Sequence, residues 1–301
     1  MRTMREEDFI RKLNGLFPAS HDVAVGIGDD AAALDLGLPG GMLFLAAADQ
    51  VISGIHFTED TSPVLAAEKL FKRNLSDIAA MGGIPTHAIV TAAACPFEEK
   101  RLMEFHQGLS NISQLYGVPV IGGDLASLPS PGGVATLTIF GKVEKDKICL
   151  RSNAAPGDLI YVTGEFGNSF ASGRHLSFPP RLHEARFAAG TYTCAMIDVS
   201  DGLAKDIARM AEASGLSAEL DAASVPRAQG ASLEQALCDG EDYELVFAVS
   251  PSQADELEKS WPFPAVRLTR IGKFLSGPAG EIRGVSIPAE RGYDHFHEKN
   301  D

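Results

Sequence analysis

Cysteine is scarce in this chain of 301 residues, and the four present, Cys95, Cys149, Cys194 and Cys238, stand far apart with no CxxC pair. The spacing signals neither a zinc site nor a dense disulfide framework, and reduced, buried thiols are expected. Cations are short as well: 26 Lys and Arg against 40 Asp and Glu give a formal net charge of −14 and a sequence pI near 5.0. Neither nucleic acid nor an anionic membrane is attracted to such a surface, so neither is expected as a partner, and a negative substrate would need metal bridges. No apolar stretch approaches the roughly 20 residues of a membrane span. The opening MRTMREEDFI is charged where a signal peptide needs an apolar core, so a cytoplasmic protein is expected. The P-loop pattern GxxxxGKS/T is absent, and GIGDDA has Asp where a dinucleotide fingerprint needs small residues. Phosphate has to be held another way.

What the chain has instead is aspartate where hydrophobic runs end: Asp29 and Asp30 in GIGDD, Asp49 after LFLAAA, Asp124 in VIGGD, and Asp198 and Asp201 in MIDVSD. If those runs are strands, their carboxyl ends gather acids at one rim, which is where open α/β sheets bind ligands. Asp77, in NLSDIAAMGG, adds a carboxylate near a helix end. So many anions need a cation among them, and oxygen-only ligands with Gly-rich turns favour Mg2+ over zinc. The chain reads as an enzyme that handles polyphosphate through metal ions.

Length suggests about two domains of ordinary size. Phe9, Ile10, Leu13 and Leu16 predict a helix over Glu6 to Phe17, and HDVAVGIG a short strand after it. A helix over Pro63 to Met81 has Pro63 in its first turn and Gly82-Gly83 as its stop. HAIVTAAAC reads as a buried strand, Glu98 to Tyr116 as a helix, and VPVIGGD and VATLTIFGKV as further strands. After a boundary near residues 144 to 152, RSNAAPGD is a loop, DLIYVTG a strand, MIDVSDGLAKDIARMAEASG a strand running into a helix, and ELVFAVS a strand. Several gaps are too short for crossover helices, so mixed sheets in an α/β fold are expected rather than a doubly wound sheet. The division is residues 1–146 and 147–301, two similar units meeting at one cleft.

Single motifs remain ambiguous. GIGDD exposes two adjacent carboxylates after a tight turn, and an ordinary acidic turn has the same look. VIGGD has glycines that free backbone N–H groups for phosphate, beside Asp124 as a metal ligand. Ser200 or Asp201 could simply cap the following helix, which leaves Asp198 unexplained. Asn74 and Asp77 share a helix face that is otherwise a solvated one. Arg151 could clamp phosphate oxygens from a loop. His56 stands between Ile55 and Phe57, as semi-buried histidines often do. In GEDYELVF, Glu241 and Asp242 form either a solvated turn or a face toward a cation; in RGYDHF, Tyr293, His295 and Phe296 either anchor the terminus or stack on a flat ring.

Taken in order, GIGDDAAAL, DQVISGIHF, NLSDIAAMGGIP, IGGD, RSNAAPGDLIYVTG, MIDVSDGLAKD, GEDYELVF and RGYDHF resemble the thiamine-monophosphate kinases, within the superfamily named for aminoimidazole ribonucleotide synthetase. The likeness runs almost end to end; GEDYEL and GYDHF mark the kinase branch. It implies a two-domain aminoimidazole ribonucleotide synthetase-like architecture and ATP-dependent phosphorylation of thiamine monophosphate to thiamine diphosphate. It also implies a homodimer built through the N-terminal domains. By matching motif, Asp30, Asp49, Asp77, Asp124, Asp198 and Asp201 would hold several Mg2+ ions. Gly123, Asp124, Arg151, Ser200 and Tyr116 would contact ATP, and His56, Glu241 and Tyr293 thiamine monophosphate. No protein nucleophile is implied, since transfer between phosphates rests on alignment and charge cancellation. One departure is Ala47-Ala48 before Asp49, where the family usually has hydroxyls; a water or backbone carbonyl would complete that metal's shell. Two alternatives follow: a related enzyme with another acceptor, or a homologue that binds nucleotide or thiamine phosphate without catalysis.

Overall fold

The computed structural model describes residues 9, 10, 12, 13, 16–18, 20–96, 98–286, 292 and 293. The chain opens with β1 (Val23–Val25), β2 (Ala32–Leu38) and β3 (Met42–Ile52), followed by helix α1 (Pro63–Ala80), β4 (Ile84–Cys95), α2 (Glu99–Tyr116), β5 (Val120–Ser127) and β6 (Gly132–Glu144). These strands form a six-stranded sheet in the order β1-β2-β3-β6-β4-β5. Only β4 and β5 pair in parallel, and α2 is the crossover that joins them.

The second unit runs through β7 (Leu159–Thr163), three short helices α3 (Ser169–Ser172), α4 (Arg174–Ser177) and α5 (Leu182–Ala188), then β8 (Met196–Asp198) and α6 (Leu203–Ala213). It continues with β9 (Ser217–Leu220), α7 (Leu233–Cys238), β10 (Leu245–Val249), α8 (Pro251–Ser260), β11 (Leu268–Leu275) and β12 (Ile282–Arg283). Its six-stranded sheet has the order β12-β9-β11-β7-β10-β8, antiparallel except for β9 with β12. Both sheets are therefore mixed, as expected for this α/β chain.

Helix α1 holds the molecule together. Pro63 occupies the first turn, where a missing N–H costs nothing. At the other end Gly82 takes φ +67, which lets the Gly83 N–H return to the Ile78 carbonyl at 2.8 Å. Leu70, Phe71, Leu75, Ile78 and Ala79 are fully buried. They pack against β3, β6 and α2 on one side, while α4, α5 and β8 of the second unit cover the other. Truncating Leu75 to Ala would cost about 2–5 kcal/mol. Because solvent reaches so little of α1, the polar groups along it must find partners inside the protein.

Four expectations change. Asp49 and Asp124 lie within β3 and β5 rather than at their carboxyl ends, because β3 continues to Ile52 in register with β6 and β5 continues to Ser127 along β4. HAIVTAAAC is not buried throughout: only Ala88 and Val90 are enclosed, because helices cover one face of that strand. Of the free cysteines only Cys149 is buried, and Cys194 is exposed, since it sits in the turn before β8. Neither Ser200 nor Asp201 caps α6; the Asp206 carboxylate reaches back instead and accepts from the N–H groups of Ser200, Asp201 and Gly202 at 3.1, 3.0 and 3.2 Å. Of the helix expected over residues 6 to 17, residues 9, 10, 12 and 13 are helical, Leu16 and Phe17 lie in an exposed turn beyond it, and residues 6–8, 11, 14 and 15 lie outside the described residues.

Candidate active site

Three carboxylates meet where the two units face each other. Asp30 comes from the β1–β2 turn, Asp77 from the last turn of α1, and Asp198 from the end of β8, with oxygens all within 4.8 Å of one another. Asp30 is neutralised by Arg151, whose Nη2 donates to Oδ1 at 2.7 Å and Nε to Oδ2 at 3.2 Å. Among the described residues, neither Asp77 nor Asp198 has a cation within ion-pair distance; Asp198 accepts a hydrogen bond from the Ser76 hydroxyl at 2.6 Å. Burial, reinforced by the charges of Asp49, Asp198 and Asp30, raises the Asp77 carboxyl well above its ordinary value. Burial and the Asp30 charge do the same to Asp198, with Ser76 opposing. Asp29, beside the cluster, is pushed up to about 7 by burial and by Asp30. An oxygen-only set with two uncompensated carboxylates suits a hard divalent cation such as Mg2+.

The flanking acids are held by the chain's own cations. Asp49 accepts from Arg73 Nε at 2.9 Å, while Arg73 also donates to the Gln50 carbonyl at 3.0 Å and lies over the Tyr243 ring. Burial opposes the Arg73 charge, but Asp49, Tyr243 and Glu241 keep it firmly protonated. Asp201 is paired with Arg209 at 2.7 Å and Lys205 at 3.2 Å. Burial would raise Asp201, but those two cations bring it below the ordinary value. Ala47 lies on the same sheet face as Asp49, toward α1, so a hydroxyl there would share the carboxylate's side; Ala48 faces away.

A second acidic group comes from GEDYEL, and here each acid has a partner. Glu241 is in contact with the Lys69 ammonium and lies 3.3 Å from His175 Nδ1. Asp242 is paired with Arg174 and accepts from the Gly167 N–H at 3.1 Å. Glu244 receives Arg181 in a two-pronged contact and the Thr163 hydroxyl at 2.6 Å. Burial alone would raise Glu241, yet His175, Lys69 and Arg73 bring it down to about 2. Asp242 is the least compensated of the three, held up at about 7 by burial even with Arg174 against it. Glu241 and Tyr243 have φ of 58° and 52°, a left-handed conformation that costs non-glycine residues of order 1–3 kcal/mol each. Bonds from their N–H groups to the Ser200 and Val199 carbonyls, 2.7 and 2.8 Å, hold that conformation.

The structure thus brings together Asp30, Asp77, Asp198 and Arg151, with Ser200 two residues along the chain from Asp198, and separately His56, Glu241 and Asp49 around α1. Tyr293 sits beside Asp201, its N–H donating to the Asp201 carbonyl at 2.9 Å; His295 and Phe296 lie outside the described residues. Tyr116 ends α2 near Arg181 and Glu184, its hydroxyl raised by burial. Gly123 and Asp124 are placed apart. Register runs Asp49–Leu137–Val90–Gly123 across β3, β6, β4 and β5, about 14 Å at ordinary strand spacing. A Cβ on Gly123 would fall 1.7 Å from the Val90 carbonyl oxygen, so the glycine permits the close approach of β5 to β4.

Sequence reasoning missed Lys69, Arg73, Ser76, His175, Arg181, Arg209 and Asp206. A signal existed for the first three: polar residues at 69, 73 and 76 repeat at helical spacing along α1, on the face that also carries Asp77. A cavity of about 490 Å³ beside Phe57, Arg101 and Phe105 is lined by none of the six aspartates singled out above.

Residues 28–143 match the family model described as AIR synthase related protein, N-terminal domain, and residues 155–284 match the C-terminal domain of the same description. The chain is 38% identical over 292 residues to a thiamine-monophosphate kinase of Rhodopirellula baltica, covering 90% of this chain and 89% of the relative. With the thiamine-monophosphate kinase of Bacillus subtilis it shares 31% identity over 327 residues, 97% of this chain and 100% of the relative. Among solved structures, AaThiL complexed with AMPPCP and TMP superposes with a TM-score of 0.84 at 25% identity, covering 98% of each chain.

Proposed function

We infer from its membership of the AIR synthase related family, to whose thiamine-monophosphate kinases this chain belongs, that it phosphorylates thiamine monophosphate with ATP, giving thiamine diphosphate and ADP. The observation that carries the metal-assisted form of this reading is the meeting of Asp30, Asp77 and Asp198, two of them without a cation. Mg2+ held there would cancel charge between two phosphate chains that otherwise repel. Asp49, Asp124 and Asp201 are the proposed ligands of further ions, the first and last by sharing carboxylates with Arg73 and Arg209.

On the nucleotide side, Arg151 presents a half-buried guanidinium suited to phosphate oxygens, with Gly123, Asp124, Ser200 and Tyr116 assigned to the same ligand. His56, Glu241 and Tyr293 are assigned to the acceptor. The chain's own work is to bind, align and exclude water. No side chain needs to take a proton from the acceptor, whose phosphate is already ionised.

The proposed division is residues 1–146, with the dimer core and much of the metal site, and 147–301, which completes the cleft; the last strand of the first sheet ends at Glu144 and the first of the second begins at Leu159. A homodimer through the first unit is supported by the sheet face opposite α1, where Phe44 and Phe140 stand 5.5 Å apart and at most half-buried. The edge strand β5 adds Ile121 and Leu125, 61% and 52% exposed, apolar surface that a second copy would cover. Free thiols, one of them exposed, suit a reducing cytoplasm, and no helix of the described residues is long and apolar enough to cross a membrane.

Phosphorus NMR of the protein with ATP, thiamine monophosphate and Mg2+ tests the reading, with a matched sample lacking the acceptor. Thiamine diphosphate and ADP are expected together. ADP formed only with a different acceptor, or nucleotide signals that broaden without any product, would overturn it.

A further inference from the structure

Lys69 lies in the middle of α1 with no exposed surface. Its ammonium is in contact with three polar groups from three separate segments: the His56 carbonyl, the Glu241 carboxylate, and His175 Nδ1 at 2.8 Å. The Phe170 ring, stacked on His175 at 4.3 Å, closes the remaining side 5.8 Å from Nζ. These groups and the ring enclose the ammonium, which presents no surface to a ligand. An apolar side chain would fill the same space at lower cost than a buried charge. Two of the groups it joins are, or belong to, residues assigned above to the acceptor: the loop of His56, whose Nδ1 accepts from the Ile52 N–H at 3.0 Å, and Glu241, in its left-handed backbone conformation.

We propose that Lys69 is a positioning residue for the acceptor, tying the His56 loop to Glu241 across the cleft and so fixing the spacing of the two groups that receive thiamine monophosphate. The inference rests on the kinase reading above. It differs from a purely structural role in predicting a dependence on the charge of Lys69. The groups that face its ammonium are Glu241, His175, the His56 carbonyl and Phe170, with the charges of Arg73 and Asp49 beyond them. Burial, opposed by Glu241, lowers the ammonium to about 8, so the tie loosens just above neutral pH.

Steady-state kinetics across pH, on the full chain and on Lys69→Met and Lys69→Arg, test this. In the unmodified protein kcat/KM for thiamine monophosphate falls above about pH 8, while KM for ATP stays level. Lys69→Met raises KM for thiamine monophosphate by about tenfold or more at every pH, the loss expected for one buried charged contact, with no alkaline limb. Lys69→Arg, whose guanidinium keeps its proton, moves the limb upward out of the range. A limb unchanged in Lys69→Arg, or an equal rise in KM for both substrates in Lys69→Met, overturns the proposal. Should Lys69→Met fail to fold, the pH profile of Lys69→Arg decides alone. If the unmodified protein neither binds thiamine monophosphate in calorimetry nor phosphorylates it, the kinase reading falls and this role with it; normal turnover with an unmoved limb defeats only the role of Lys69.

Discussion

Two groups of three acids meet the polar face of α1, one at Lys69 and the other at Ser76 and Asp77, and they are built on opposite plans. In GEDYEL every carboxylate has a cation of the same chain: Lys69 for Glu241, Arg174 for Asp242, Arg181 for Glu244. In the group formed by Asp30, Asp77 and Asp198, only Asp30 has one among the described residues, Arg151. Both groups bear the cost of leaving water, but only the first recovers it within the fold. On the proposed reading, the open cluster takes its missing cation from outside, whereas the closed one is balanced within the fold. The contrast is sharpest between Glu241, brought down to about 2, and Asp77 and Asp198, raised well above the ordinary range.

The contrast breaks most visibly in activity. Asp77→Asn or Asp198→Asn should lower Mg2+-dependent formation of thiamine diphosphate by about a thousandfold or more, given the several kcal/mol that metal charge cancellation supplies, with the fold kept by circular dichroism. Changes at the Glu244–Arg181 pair should act on stability instead. Glu244→Gln or Arg181→Met leaves a buried charge alone and should cost about 3–5 kcal/mol in denaturant unfolding, while the response of stability to Mg2+ persists.

Glu241 and the open group should also have opposite pH dependence. In chelator, Asp29 with its carboxyl at about 7, and Asp77 and Asp198 above the ordinary 3.8, hold protons in the folded state that the unfolded chain releases. The stabilising proton of Asp29 is fully held below 3.8 and lost as pH rises through about 7, with Asp242 adding over the same window, while Asp77 and Asp198 contribute in the same direction above 3.8, so metal-free stability declines as pH rises. Glu241 runs the other way: its contribution is present above 4.5 and lost as pH falls through about 2. Melting curves from pH 4 upward, with Asp77→Asn flattening the decline, check the sign. The smallest effect expected is a gain: Asp77→Asn in chelator near neutral pH removes a carboxylate that burial disfavours and should stabilise by about 1 kcal/mol, the scale of a single pKa unit.

Much of this was legible in the sequence because it is local. Asp30, Asp77 and Asp198 punctuate apolar runs, and a run, a turn and an acid can be read within ten residues. Mixed sheets followed from gaps too short for crossovers. What stayed hidden depends on contacts between distant segments. Lys69 and Glu241 are 172 residues apart, Arg174 and Asp242 68, Arg181 and Glu244 63, so GEDYEL could be read as a solvated turn as well as a face toward a cation. The face of α1 bearing Asn74 and Asp77 reads as solvated until a second unit covers it, and then Arg73 and Ser76 become inward groups. VIGGD looks like GIGDD in one dimension. Strand order alone puts Asp124 on the edge strand β5 and Asp30 beside α1.

The most direct test of an open cluster beside a closed one is thermal unfolding of the unmodified protein and Asp198→Asn, each in chelator and in saturating Mg2+. The unmodified protein should melt higher with Mg2+, and Asp198→Asn should begin higher in chelator and gain nothing from the ion. An equal Mg2+ response in both proteins, or a metal-free Asp198→Asn that melts below its parent, would contradict the account.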